Sequence, residues 1–234
     1  MSPTDSGFRH FHEQLAGLKA NLLEMSERAE SLLDLSVDAL THRDQGKAEA
    51  VLAGDNAIDE LELEVEEAAV SLLALQQPMA RDLRFIVSAI KISSDLERVG
   101  DHAVNIAQTV LRMLATDAAV PKVPEIEDMM LRARQMLSDA LDAFIRADGA
   151  LGREVCARDD QVDALHDSVF RILITHMMAD PRTIATALEL LLVSRNLERV
   201  ADLATNIAED AVYLAEGKTI KHHAEERSSR ATTS

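Results

Sequence analysis

The sequence predicts an all-α fold of two tandem, pseudo-symmetric three-helix bundles with six long helices, and three observations carry the prediction. The first is a near-repeat: Asp95-Leu-Glu-Arg-Val-Gly-Asp-His-Ala-Val-Asn-Ile-Ala-Gln108 returns as Asn196-Leu-Glu-Arg-Val-Ala-Asp-Leu-Ala-Thr-Asn-Ile-Ala-Glu209. Upstream, Asp55-Asn-Ala-Ile-Asp-Glu-Leu61 resembles Asp159-Asp-Gln-Val-Asp-Ala-Leu165 at a register three residues different, so an insertion or deletion lies between the two blocks. A period of roughly a hundred residues is too long for a solenoid and is the size of a small domain. The second observation is a 47% apolar composition with only 3% aromatics in 234 residues, which requires aliphatic cores. The third is sparse punctuation: eight Gly and five Pro stand in a chain rich in Ala, Leu, Glu and Arg, and no alternating strand pattern occurs.

The elements follow from that punctuation. Apolar periodicity from Phe8 through Leu15, Leu18, Leu22, Met25, Leu32 and Leu40 makes the first helix, and the pattern is lost around Asp44 to Gly46. A second helix starts near Lys47, with Ile58, Leu61, Val65, Ala68, Leu72 and Leu75 as its seam, and ends at Gln76 before Pro78. Proline lacks an amide donor and restricts the residue before it. The third helix runs from about Ala80 to Ala115, with Phe85, Ala89, Ile92, Leu96, Val99, Ala103, Ile106 and Val110 in alternating steps of four and three. Residues 116–124, with two prolines, link the repeats. Pro124 opens the fourth helix, which ends near Asp148-Gly149, and the fifth ends near Ala179. Asp180 as N-cap before Pro181 opens the sixth, whose seam is Leu190, Val193, Leu197, Val200, Ala204, Ile207, Ala211 and Leu214. The expected units are residues 1–117, residues 118–217 and a disordered polar tail, 218–234. Helices of about thirty residues span roughly 45 Å, so each bundle is elongated.

A formal charge of −17 argues against general binding to nucleic acid or anionic lipid, which needs a cationic face. The single cysteine, Cys156, rules out an internal disulfide and fits a reducing compartment. No stretch of eighteen or more apolar residues occurs, so no membrane insertion is expected and the expected location is cytoplasmic.

At about 100° per residue, Glu97 and Asp101 lie opposite Val99 on their helix, and Glu198 and Asp202 lie opposite Val200, so both pairs face outward. Like charges at i and i+4 repel by a few tenths of a kcal/mol, yet the chain places them at equivalent points twice. A metal ion accounts for such pairs, because neighbouring carboxylates on one helical face reach a hard cation that cancels their repulsion. Asn105 and Asn206 extend the face by a turn as supporting groups, and the row Asp59, Glu62 and Glu66 of the second helix runs towards it. The matching row in the fifth helix is Asp163, His166 and Phe170, so the repeats do not offer identical ligands. Ordinary solvated charges paired with Arg98 and Arg199 are the competing reading.

Leu75-Gln-Gln-Pro-Met-Ala-Arg-Asp-Leu-Arg84 with Lys91-Ile-Ser-Ser-Asp-Leu-Glu-Arg-Val-Gly-Asp-His102, followed by Asp180-Pro-Arg182 and Asn196-Leu-Glu-Arg-Val-Ala-Asp202, resembles the PhoU proteins over residues 8–216. The resemblance implies two similar three-helix bundles, usually dimeric, in a cytoplasmic accessory protein of phosphate uptake that negatively regulates the phosphate-starvation response. Implied partners are the ATPase subunit of the phosphate transporter and a sensor histidine kinase, with a homodimer as the expected assembly. The family's acidic motifs, described as ligands of surface metal clusters, fall on Glu97 with Asp101 and Glu198 with Asp202. Iron, manganese, magnesium or zinc is the implied ion, and an oxygen-rich site suits the harder of these. The second copy departs from the first at Asn196, Ala201 and Leu203, so a ligand role for Asp95 or His102 does not transfer to it.

Two other classes compete with an adaptor. A di-iron carboxylate enzyme needs Glu-x-x-His facing a bundle interior, and no Glu-x-x-His occurs in the chain. A metal-independent helical scaffold predicts that neutralising all four carboxylates changes nothing. The expectation is therefore a non-enzyme.

Overall fold

A computed structural model describes residues 3–76, 78–116 and 121–220, with side chains described from His10 onward. Its α-helices are α1 (Pro3–His42), α2 (Gln45–Gly54), α3 (Asn56–Gln76), α4 (Ala80–Leu114), α5 (Pro124–Arg146), α6 (Gly149–Cys156), α7 (Asp159–Ala179) and α8 (Ile184–Glu216). A 3₁₀ turn, Pro181–Thr183, leads into α8. No strand occurs among the described residues. The six-helix plan holds, with the second and fifth helices each broken once.

Both repeats end their first helix the same way, and not at the expected glycines. Arg43 and Ala147 take left-handed backbone (φ 53° and 52°). Asp44 N–H then reaches Ala39 O at 2.9 Å, and Asp148 N–H reaches Ala143 O at 2.8 Å, the bonds of a Schellman closure. The same aspartates turn round to cap the next helix, Asp44 accepting from Lys47 N–H at 3.1 Å and Asp148 from Ala150 and Leu151 N–H at 3.0 and 3.1 Å. Gly46 and Gly149 therefore sit inside the following helices. The breaks come at Asp55 and at Ala157–Arg158, where i→i+3 bonds from Ile58 N–H (2.8 Å) and Gln161 N–H (3.0 Å) tighten the turn.

The seams of α4 and α8 are buried at every position named above. In α3 the seam drifts: Ala69, not Ala68, is fully buried, and Leu75 is 71% exposed. A straight helix of 3.6 residues per turn slips away from a 3.5-residue repeat, so by its last turns the core side has moved to Leu72 and Leu73.

Helices α1, α2/α3 and α4 pack as one bundle, and α5, α6/α7 and α8 as the other. The bundles meet along α4 and α8, which run antiparallel: Ser88 Oγ donates to Asp210 Oδ1 at 3.2 Å, His102 Nδ1 lies 2.9 Å from Asn196 Oδ1, and Arg112 Nη2 donates to Glu189 Oε2 at 2.9 Å. Phe85 of α4 stacks on Phe144 of α5 with ring centroids 4.9 Å apart, joining the two cores. Gly217 (φ +68°) ends α8 with its N–H on Tyr213 O. Of the expected tail, residues 221–234 lie outside the described residues. No helix among the described residues is long and apolar enough to cross a membrane.

Candidate functional site

In the first repeat, α3 lies tightly on α4 because Gly100 has no side chain. A Cβ there would stand 2.9 Å from Ile58 Cδ1 and 3.4 Å from Asp55 Oδ1. The missing atom brings the first turns of α3 over the Glu97 and Asp101 face. Burial pushes the Glu97 carboxyl up to about 7, and every charged neighbour acting on it, Asp101, Glu62, Asp59 and Asp55, is a carboxylate that pushes the same way. Asp55 and Glu62 are raised too, by burial first and then by their acidic neighbours, with a hydrogen bond from Ser94 opposing the shift at Glu62. Five carboxylates thus gather on one face.

Glu97 is accordingly half-buried rather than fully outward, while Asp59 and Asp101 are exposed. Asn105 lies exposed a turn beyond and is not among the groups acting on Glu97. Asp55 was missed as a site residue. The signal for it was present, since Asp55 and Asp59 recur as Asp159 and Asp163 in the matched upstream block.

The second repeat arranges its counterparts differently. Glu198, Asp202, Asp159, Asp163 and Asn206 line a cleft of about 440 Å³ that also takes in Arg98, His102 and Arg199 from around the α4–α8 line. Asp159 is buried and accepts from Thr205 Oγ1 at 3.3 Å. His166, standing where the first repeat has Glu62, places Nδ1 3.1 Å from Ser194 Oγ. The equivalent arginines turn opposite ways. Arg98 reaches back to Asp95 at 3.5 Å, whereas Arg199 reaches forward to Asp202 at 2.9 Å. The sequence differs at the position each arginine could reach back to: Asn196 stands where the first repeat has Asp95 and offers Arg199 no charge there, and Arg199 pairs with Asp202 instead.

Asn196 has its own task. Its Nδ2 donates to Leu192 O at 2.7 Å, which leaves Oδ1 to accept from His102 and assigns the proton to His102 Nδ1. Burial lowers the His102 pKa, the hydrogen bond with Asn196 and the Asp101 charge partly offset that, and Arg98 and Arg199 oppose protonation further. Nearby on the same line, burial raises the Asp95 carboxyl to about 6, and raises Asp210, which Lys91 and Ser88 partly offset.

The PhoU domain profile matches this chain twice, over residues 22–110 and 126–211. The chain belongs to the PhoU family. A phosphate-specific transport system accessory protein PhoU homolog of Caulobacter vibrioides is 43% identical over 206 residues, covering 88% of this chain and 90% of the relative. The crystal structure of PhoU from Pseudomonas aeruginosa superposes with a TM-score of 0.85 at 36% identity, covering 89% of this chain and 100% of that one. That of the phosphate transport system regulatory protein PhoU from Streptococcus pneumoniae gives 0.83 at 29%, covering 90% and 99%. Both PhoU matches contain an acidic pair, Glu97 with Asp101 in the first and Glu198 with Asp202 in the second.

The PhoU-type acidic face can be weighed as a metal site on its donor chemistry. In the first repeat all the donors are carboxylate oxygens in mutual repulsion, the set a hard cation takes. Among the described residues no three Asp, Glu, His or Cys side chains form a ready-made cage. Exposed Asp59 and Asp101 would have to swing in. The second repeat fits less well, since Arg199 already neutralises Asp202.

Proposed function

We propose that the chain is a cytoplasmic metal-binding adaptor and negative regulator of phosphate uptake and of the phosphate-starvation response. It relays the state of a phosphate ABC transporter, through the ATPase subunit, to a sensor histidine kinase, and it acts as a homodimer. The observation that carries this reading is the family match in both repeats, together with relatives, 35–43% identical and nearly as long, that bear the name of phosphate-transport accessory proteins. Those names are not enzyme names, and no residue is assigned a catalytic role.

Glu97 and Asp101 would hold the ion from α4, with Asp55 at the α2–α3 break and Asp59 and Glu62 of α3 closing on it. When bound, iron, manganese, magnesium or zinc supplies positive charge between five repelling carboxylates and ties α3 to α4. The chain's own residues prepare this: Gly100 admits α3, Ser94 holds Glu62, and Asp95 keeps Arg98 turned away from Asp101. Glu198 and Asp202 form the weaker counterpart, with Asn206 beside them.

Elemental analysis of untagged protein, purified without chelator, tests the metal part against a variant with Glu97→Gln, Asp101→Asn, Glu198→Gln and Asp202→Asn. The parent is expected to carry metal that the folded variant lacks. Deletion of the gene is expected to derepress the phosphate-starvation genes, and unchanged expression would overturn the regulatory part. The lack of a ready-made cage favours one second reading, a metal-independent scaffold, for which parent and variant would both come out empty with regulation intact.

A further inference from the structure

Each repeat lays an antiparallel helix pair, α3/α4 or α7/α8, on the face that carries the acidic residues. In the second repeat that pair exposes two apolar rows. Phe170, Ile174 and Met178 on α7 are 48%, 37% and 82% exposed, and Ile184, Leu188 and Leu192 on α8 are 42%, 52% and 46% exposed. The His166–Ser194 contact and the turn at Pro181–Thr183 set the register, so the two rows run side by side on the hairpin. Single exposed apolar side chains need no explanation, but six in two parallel rows mark an interaction surface.

The first repeat acts as an internal control. Its equivalent positions are Glu66, Val70 and Ala74 on α3 and Leu83, Val87 and Lys91 on α4, of which Val70, Leu83 and Val87 are exposed apolar side chains as in the second repeat, so the two faces differ at three positions. The same bundle therefore folds with Glu, Ala and Lys where the second repeat shows Phe, Met and Leu. Folding does not require the extra apolar residues, which leaves binding as their use.

Shape and charge narrow the occupant. Each row covers nine residues, a rise of about 12 Å at 1.5 Å per residue step, which suits two turns of a helix presenting side chains at i, i+4 and i+7. Along α7 the row continues into exposed Asp167 and Asp163, and the cleft beside them sets Asp159, Asp163, Glu198, Asp202 and Glu209 against Arg98 and Arg199, so the groove is apolar at one end and net acidic at the other. A second copy of a chain with 41 acidic and 24 basic residues matches that acidic end poorly. We propose that the α7/α8 face is a docking groove for one amphipathic helix of a partner protein, apolar along one side and basic at the end lying over Asp163 and Asp167.

The inference rests on the adaptor reading and gives it a contact face. A synthetic probe keeps its failure separate, because the deletion phenotype decides the adaptor reading. The probe is a fluorescein-labelled 18-residue helix with Leu at i, i+3, i+4 and i+7 and three Lys at one end, titrated into the full chain and read by anisotropy. The decisive variant, Phe170→Glu with Met178→Ala and Leu192→Lys, gives the second repeat the side chains with which the first one folds. Saturable one-to-one binding is expected, weakened at least tenfold in that variant and in a probe with Glu for Lys, and unchanged by Val70→Glu with Val87→Glu. Absence of saturable binding overturns the proposal, as does equal loss from the first-repeat variant. So does sedimentation showing a dimer that the triple variant dissociates, which would make a second copy the occupant.

Discussion

The two repeats share a backbone and differ in their surfaces. Arg43-Asp44 and Ala147-Asp148 close and reopen the helices identically, and the α4 and α8 seams are buried position for position. Facing outward, the first repeat gathers five carboxylates with no arginine among the groups acting on Glu97, while the second pairs Arg199 with Asp202 and exposes Phe170, Ile174 and Met178. Duplication retained what folding needs. The outer face was free to diverge: the first copy keeps its carboxylates without an arginine among the groups acting on Glu97, and the second pairs Asp202 with Arg199 and adds Phe170, Met178 and Leu192 to the apolar positions that both copies expose.

The aromatic stack that joins the two cores beside the α4–α8 line should give the largest effect. Phe144 is fully buried against Phe85, so Phe144→Ala is expected to cost about 3–5 kcal/mol in urea unfolding and to split one transition into two. A single transition with a small loss would mean that the repeats are held together elsewhere.

Close helix approach separates the copies next. A Cβ on Gly152 would meet Ala208 O at 2.8 Å, a backbone atom, whereas one on Gly100 would meet the movable tip of Ile58. Gly152→Ala is expected to lower stability by roughly 1–3 kcal/mol and Gly100→Ala by less, read from thermal melts. Equal losses would contradict the difference in packing.

The acidic face gives a pH signature. The folded Glu97 carboxyl titrates at about 7 against an ordinary 4.5, so the native state holds the proton more readily than the unfolded chain. Its contribution therefore destabilises at pH 8 and is relieved as pH falls from about 7 to about 4.5. In chelator at pH 8, Glu97→Gln is expected to raise Tm by roughly 2–4 °C, the shift that about 1 kcal/mol produces in a chain of this size, and to flatten the pH dependence. Glu198→Gln should leave Tm unchanged, since Asp202 is already paired.

The smallest effect is the most specific. Asp95→Asn should release Arg98 towards Asp101 and weaken cation binding in the first repeat, and Asn196→Asp should draw Arg199 off Asp202 and strengthen it in the second. Exposed ion pairs are worth up to about 1 kcal/mol, so calorimetry should show changes of no more than about fivefold. Changes of the same sign in both variants would break the account.

Helical periodicity and the near-repeat made the fold and both long seams legible, because burial imposes a period that survives without knowledge of partners. The ends of α1 and α5 were not legible: a Schellman closure on Arg43 or Ala147 leaves no glycine to read. The outward turn of the carboxylates followed from helical geometry, but their grouping did not, since Asp55 meets Glu97 only through the gap at Gly100. The apolar face of α7 was not legible, because a methionine at helical spacing usually fills a core, and Met178 proves 82% exposed.

The difference between the copies is tested most directly by Mn²⁺ titration calorimetry of the chelator-treated parent beside Glu97→Gln with Asp101→Asn, and beside Glu198→Gln with Asp202→Asn. The account predicts that the first pair of substitutions removes the tighter binding and the second leaves it in place. Equal losses from the two pairs, or no Mn²⁺ bound by the parent, would contradict it.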